Sequence, residues 1–438
     1  MSKLPAVYEN VPAPRSAWRW DRSAIEAWQL ERFNLQLREI LPRNQFYRRK
    51  FSRDSLQLNS LLELQQLPMT TKEELVQSVD AEGLSQHQTF ERSQYTRMHR
   101  TSGTTGAPLL ICDTADDWQG WWSATWQHVL EAARVTPADR VFLAFSFGPF
   151  IGFWSAHQAC VDRRVMVIPG GGLSSIARLE FIRQSQANVI LCTPSYALHL
   201  AEVAERESLP LGELQVDRII VAGEAGGSIP AVRSRIESAW QAQVVDHSGA
   251  TEVGPWGFGW PDGPGLHVIE TSFIAELLPL GATQALLPSQ ATPEQLAAPA
   301  ELILTSLGRL SAPVIRYRTG DIVQAGFSSQ GDCNFLWLAG GVSGRSDDMV
   351  TIRGVNLFPS SIDAIAREFA AIQEYRVIIS RKGALDEVRL EVEAPESVLA
   401  AISKRFELVL GLRISITSVP PNSLPRTEGK SKRWLDQR

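Results

Sequence analysis

Between Arg140 and His247, short β-branched runs alternate with stretches of helical spacing. No other feature constrains the fold as strongly. The runs are Arg140–Phe145, Val165–Pro169, Asn188–Thr193, Asp217–Ala222 and Gln243–Asp246. The clearest helical stretches between them are Ser174–Gln186, Tyr196–Glu207 and Pro230–Gln241. A parallel neighbour cannot be reached by a tight turn, so this alternation predicts parallel strands joined by crossover helices. Ligands of such sheets gather at the carboxyl ends of the strands, which is where chemistry is expected.

A chain of 438 residues with 44% hydrophobic content can bury more than one core. Ser23–Leu41 places Ile25, Trp28, Phe33, Leu37 and Leu41 near one helix face, and Pro42 ends it. In LPMTTKEEL, from Leu67, a Thr before Lys-Glu-Glu reads as a capped helix start. Val141–Cys160 is long and apolar. Gly148–Pro149, Ser146, Ser155, His157 and Gln158 break it, so it reads as a buried strand, a turn and a helix start rather than a membrane span. Leu278–Ala300, rich in Pro, Ala and Gln, reads as a surface connection. Beyond Gly344 comes a strand (Met349–Ile352), a helix (Ser360–Phe369), two strands (Tyr375–Ser380, Glu387–Glu393), a helix (Glu396–Leu410) and a strand (Arg413–Val419). That order makes a self-sufficient small α+β domain, with a boundary near Ser346–Asp347.

The 43 basic and 48 acidic residues give a formal charge of −5, which argues against a general nucleic-acid or anionic-membrane binder. Cys112, Cys160, Cys192 and Cys333 form no CxxC pair, so neither a disulfide framework nor a Cys-rich zinc site is expected. The opening MSKLPAVYENVPAPRS has no apolar signal core, and a cytoplasmic setting is the expectation. The N-terminal arm with Trp18 and Trp20 packs either on the body or on a second subunit, and a homodimer stays open.

The sharpest local signal is TSGTTGAP, Thr101–Pro108. Its hydroxyls and freely bending glycines, Gly103 and Gly106, suit a loop that presents N–H and O–H groups to a phosphate. It is not a Walker A loop, because GKS/T is absent. HSGATEVGP (His247–Pro255) follows a strand and sets Thr251 beside Glu252, a pairing that suits Mg²⁺. RYRTGD (Arg316–Asp321) places a carboxylate after a Gly turn; alone it reads as an Asx turn, yet it could accept two hydrogen bonds from a ribose diol. GRSDDM holds Arg345 at the proposed boundary, and LPRTEGKSKR holds Lys430 on a basic tail.

Taken together and in order, TSGTTGAP, CTPSYAL (Cys192–Leu198), AGEAGGSIP (Ala222–Pro230), GATEVG, GLHV, RYRTGD and GRSDDM make the sequence resemble the adenylate-forming, AMP-binding superfamily. Within it, the chain is most similar to the phenylacetate–coenzyme A ligase branch. The resemblance implies a large adenylation domain (1–346) and a small mobile domain (347–438). It also implies a two-step reaction needing ATP, Mg²⁺ and coenzyme A: an acid becomes an acyl-adenylate, and a thiol then displaces AMP. Thr101, Ser102, Gly103, Thr104, Thr105 and Gly106 would cradle the phosphates. Glu252 would bind Mg²⁺ and Thr251 the α-phosphate. Gly223 and Glu224 would line the nucleotide site, and Asp321 and Arg345 would hold the ribose. Lys430 would bridge the carboxylate and the α-phosphate, and Asp347 would be the hinge. Ala225, Gly249 and Ala250 would border the acyl pocket.

Two positions depart from the family pattern. Ala107 stands where a Lys is common, which removes a cation from pyrophosphate. Ser248 stands where an aromatic residue packs on adenine. Phe145, Phe147 and Phe150 could sandwich an aryl ring, with at least one of them in the core by strand alternation. No cation is dedicated to a second carboxylate, so a monocarboxylic aromatic acid is the expected substrate. EVGPWGFGWPDG lacks Cys, so no structural zinc is expected. The alternative is a stand-alone adenylating enzyme that passes the acyl group to a carrier protein or an amine.

Overall fold

The computed structural model describes residues 5–80, 83–101, 108–327, 332–346, 350–352, 355–382, 385–410, 412–425 and 433–437. Its core is an 11-stranded mixed sheet. At one end lie the five strands read from the alternation, observed as Arg140–Leu143, Met166–Pro169, Val189–Cys192, Arg218–Val221 and Gln243–Ala250. They pair in parallel. The intervening helices are Ser175–Ser185, Pro194–Arg206 and Pro230–Trp240. Thr193 caps the second by accepting from the Tyr196 N–H at 3.2 Å, and prolines at the first turn of the second and third cost no hydrogen bond there.

The strand Gln243–Ala250 is the pivot of the sheet. Its first half pairs in parallel with Arg218–Val221, and its second half pairs antiparallel with Gly254–Trp260. From there the sheet continues antiparallel through Gly263–Val268, Leu336–Arg345, Tyr317–Phe327, Ala300–Ser306 and Phe273–Pro279. Crossover alternation could not reveal this half. Gly254–Trp260 is buried at every position, so its sequence, GPWGFGW, shows no inside–outside period.

Arg22–Ile40 is a helix capped by Asp21, whose carboxylate accepts from the Ala24 N–H at 2.8 Å. The arm before it is sutured to the body: Trp18 stacks on Phe258, and its indole N–H donates to His128 at 3.0 Å. The Leu278–Ala300 connection is less superficial than its composition suggests, because Ala285, Leu287 and Leu296 are buried.

A second, separate apolar core organises the smaller α/β part, built on Ile362, Val377, Leu390, Ile402 and Phe406 among others. Its four-stranded sheet uses Tyr375–Lys382, Leu385–Val392, Ser415–Ser418 and a further strand, Trp434–Asp436, with helices Pro359–Arg367 and Leu399–Leu410. The hairpin Val350–Ile352 with Val355–Leu357 precedes them. Among the described residues, no helix is long and apolar enough to cross a membrane.

Candidate active site

Several candidate residues follow the carboxyl ends of the parallel strands. Phe145 follows Arg140–Leu143, Thr193 follows Val189–Cys192, and Gly223 and Glu224 follow Arg218–Val221; Thr251 and Glu252 follow the pivot strand. Gly223 has φ +93°, a conformation that an L side chain rarely adopts. The Glu224 carboxylate accepts from the Ser195 N–H at 2.7 Å, at the positive end of the helix Pro194–Arg206. Ala225, Gly249 and Ala250 are exposed on this rim, and Ser248 is half-buried opposite Gly257.

Asp321 and Arg345 are direct cross-strand neighbours. The guanidinium Nη1 lies 3.1 Å from the carboxylate Oδ1. Gly320, at φ +77°, turns the chain just before Asp321, and its carbonyl accepts from the Ser346 N–H at 2.7 Å. Tyr317 connects this pair with Glu252. Burial pushes its phenol well above the ordinary value; the charges of Glu252, Glu73 and Asp321 push it the same way, and Arg345 opposes them.

Glu252 is 7% exposed. Its Oε1 lies 3.0 Å from Lys72 Nζ, a partner the sequence reading missed. Lys72 opens the helix Lys72–Gln77 behind a reciprocal cap: Thr71 accepts from the Glu74 N–H, and Glu74 accepts from the Thr71 N–H. Thr70 anchors the segment. Its N–H donates to Arg316 and its carbonyl accepts from Arg318, both at 2.9 Å, so TTKEE is zipped along RYRTGD. No local spacing signals a contact between residues so distant in sequence.

Glu252 sits beside Thr251, and among the described residues no group of three His, Cys, Asp or Glu is gathered to cage a metal. One protein carboxylate, completed by phosphate oxygens and water, is a donor set that suits Mg²⁺.

Thr101 is buried at the base of its loop. It donates its N–H to the Leu109 carbonyl at 3.0 Å and accepts from the Leu109 N–H on its hydroxyl at 2.9 Å. Thr101 and Leu109 pair in this way between the strands Tyr95–Arg100 and Leu110–Thr114, and the Thr101 hydroxyl keeps its own proton to donate. Ser102, Gly103, Thr104, Thr105, Gly106, Ala107, Asp347 and Lys430 lie outside the described residues.

The three phenylalanines do not form one sandwich. Phe145 is 7% exposed and stacks on Phe153 in the core, whereas Phe150 is 41% exposed. Phe147 is half-buried, edge-on to Trp154 with ring centroids 4.9 Å apart. Strand pleating and the turn at Gly148–Pro149 send the three rings in different directions. Trp154, outside the expected set, donates its indole N–H to the Gly148 carbonyl at 3.0 Å and braces the turn.

Residues 354–438 match a family model described as the AMP-binding enzyme C-terminal domain. The phenylacetate-coenzyme A ligase of Escherichia coli (strain K12) is 30% identical over 436 residues, covering 94% of this chain and 95% of that protein. The chain belongs to the phenylacetate–coenzyme A ligase branch of the adenylate-forming enzymes. It is an AMP-forming acyl-CoA ligase that works through an acyl-adenylate and uses ATP, Mg²⁺ and coenzyme A. The phenylacetate-coenzyme A ligase of Pseudomonas putida is 27% identical over 435 residues, covering 95% of this chain and 94% of that one. Among solved structures, 2-hydroxyisobutyryl-CoA ligase in its postadenylation state, with 2-HIB-AMP, superposes with a TM-score of 0.88 at 28% identity, covering 97% of this chain and 92% of that one. The same enzyme with 2-HIB-AMP and CoA in the thioesterification state gives 0.71, covering 98% and 94%. The arrangement of this ligase is therefore closer to the postadenylation form.

Proposed function

We propose that this ligase activates an aromatic monocarboxylic acid and transfers the acyl group to coenzyme A. The observations that support the reading are the Lys72–Glu252 and Asp321–Arg345 pairs, of which Glu252, Asp321 and Arg345 all act on Tyr317, and the edge-on contact of half-buried Phe147 with exposed Trp154. The first two sets suit a nucleotide with its metal. The third offers an aryl ring an edge and a face. The phenylacetate-coenzyme A ligase names of the relatives support the aromatic class; the 2-hydroxyisobutyryl-CoA ligase at 28% identity is the competing, aliphatic precedent.

In the first half-reaction the acid's carboxylate oxygen bonds to the α-phosphorus, the bond to the bridging oxygen breaks, and pyrophosphate leaves. In the second, the thiol sulfur bonds to the acyl carbon and AMP leaves. Bound Mg²⁺ neutralises phosphate charge, and Glu252 would hold it beside Thr251 at the α-phosphate. Lys72, the partner of that carboxylate, takes the cation's part that Ala107 leaves vacant on the departing pyrophosphate. Asp321, oriented by Arg345, accepts from the ribose hydroxyls. Gly223 lets the backbone approach the nucleotide, and Glu224 fixes that segment to the neighbouring helix. Thr101, Ser102, Gly103, Thr104, Thr105 and Gly106 would cradle the outer phosphates. Lys430 would bridge acid and α-phosphate. The division into 1–346 and a mobile 347–438, turning at Asp347, completes the proposal.

The test is pyrophosphate release across a panel of acids, followed by mass analysis of the product with coenzyme A. Phenylacetate or a close aryl acid should give the highest kcat/KM. Preference for 2-hydroxyisobutyrate or another small aliphatic acid would remove the aromatic class and leave the ligase chemistry standing. Acyl transfer only to a phosphopantetheinyl carrier would remove coenzyme A as the acceptor.

A further inference from the structure

Arg309 belongs to none of the recognised motifs, yet its side chain is wholly buried, as is that of Asp113. Its Nε donates to Asp113 Oδ1 at 2.9 Å and its Nη2 to Oδ2 at 3.0 Å, a bidentate pair. The remaining nitrogen, Nη1, turns the other way and donates to the carbonyls of Thr251 at 3.1 Å and Glu252 at 2.9 Å. The Trp122 ring lies against the guanidinium, 4.7 Å from its centroid, and the Trp122 indole N–H donates to Asp113 at 3.1 Å. The two ends of the fork therefore hold different parts of the molecule. Asp113 lies on Leu110–Thr114, the strand by which the chain leaves the phosphate loop. Thr251 and Glu252 form the turn whose carboxylate faces Lys72.

A buried ion pair contributes little net stability compared with apolar residues of the same volume, so stability alone is a weak reason for one here. A planar fork with donors on two sides does something an apolar residue cannot: it fixes the distance and angle between two backbone segments. We propose that Arg309 is a positioning residue for adenylation, bracing the Thr251–Glu252 turn against the strand that leaves the phosphate loop. The Glu252 carboxylate is thereby held in place for metal-assisted transfer, and small displacements of such groups are costly. The inference rests on the reading of Glu252 as the metal carboxylate.

The full-length chain is tested as Arg309→Lys and as Asp113→Asn. Pyrophosphate release is measured against Mg²⁺ concentration at fixed ATP and acid, and thioester formation is measured separately from supplied acyl-adenylate and coenzyme A. In both variants the Mg²⁺ concentration for half-maximal adenylation should rise about tenfold, and the maximal adenylation rate should fall about tenfold or more. The thioester step should stay within about threefold of wild type, because it leaves the pyrophosphate and metal contacts unused. An unchanged Mg²⁺ requirement in a folded variant would overturn the proposal. So would equal losses in both steps, or unfolding of both variants, since each assigns the pair to stability alone. Glu252→Gln in the same titration separates the two readings. If it leaves the Mg²⁺ requirement unchanged, the carboxylate assignment fails; if it raises the requirement and Arg309→Lys does not, only the Arg309 proposal fails.

Discussion

Lys72 holds an ammonium 3.0 Å from the Glu252 carboxylate, while the phosphate loop carries Ala107 where the family commonly has a lysine. The Lys72 side chain is 27% exposed, so its pairing with Glu252 is worth little to stability. Its value lies in where the charge stands when the outer phosphates depart. A preorganised cation at a developing charge contributes on the order of 10² in rate, and Lys72→Met should cost about that factor in pyrophosphate release. The melting temperature should stay close to wild type. Adding Ala107→Lys to this variant should restore part of the lost rate, because either lysine supplies the same charge. Stopped assays of pyrophosphate release with the two single variants and the double variant check both claims.

Asp246 shows how one residue can tax a whole element. It lies on the pivot strand, where the parallel half ends, and accepts a hydrogen bond from the Ser228 hydroxyl. Ser228 in turn accepts from the Gly265 N–H at 3.0 Å, tying the pivot to the antiparallel half. Burial pushes the Asp246 carboxyl up to about 6, against the opposing pull of Ser228 and Arg233. Between the unfolded value near 4 and this folded value, the native state binds the extra proton, so stability from this group falls as pH rises. Above pH 6 the loss is complete, at roughly 3 kcal/mol. Asp246→Asn should abolish that slope. Its melting temperature relative to wild type should be lowest near pH 4, rise to pH 6 and stay level to pH 8, as thermal melts across that range will read. The parallel half of this sheet was legible because short apolar runs there alternate with stretches of helical spacing, two of them capped by Ser174 and Thr193. The antiparallel half was not, because Gly254–Trp260 is buried on both faces and carries no period. The site followed the same division. Asp321 and Glu252 lie in local motifs that can be read in order along the chain, whereas Lys72, Arg309 and Trp154 acquire their parts only through contacts made after folding.

At the scale of the whole molecule, the chain superposes better on a relative in its postadenylation state than on the same relative arranged for thioester formation, with TM-scores of 0.88 and 0.71. Contacts among the described residues join the large and small parts in this arrangement. The helix Pro230–Trp240 packs against Pro359–Arg367, and Phe358 lies over Gly344, on opposite sides of the proposed boundary. A Cβ at Gly344 would meet the Phe358 ring 2.5 Å away, well inside contact distance. Gly344→Val therefore penalises this arrangement, and the proposed movement of the small part gives the penalty a direction. An arrangement weakened by about 1.4 kcal/mol is populated about tenfold less against its competitor. Pyrophosphate release should fall, by at most about that factor. Thioester formation from supplied acyl-adenylate should hold or rise, because the competing arrangement is the one that step requires. If both half-reactions fell together while the fold persisted, the Gly344–Phe358 contact would not distinguish the two arrangements, and the seam that does would lie elsewhere, with the packing of Pro230–Trp240 on Pro359–Arg367 next in line.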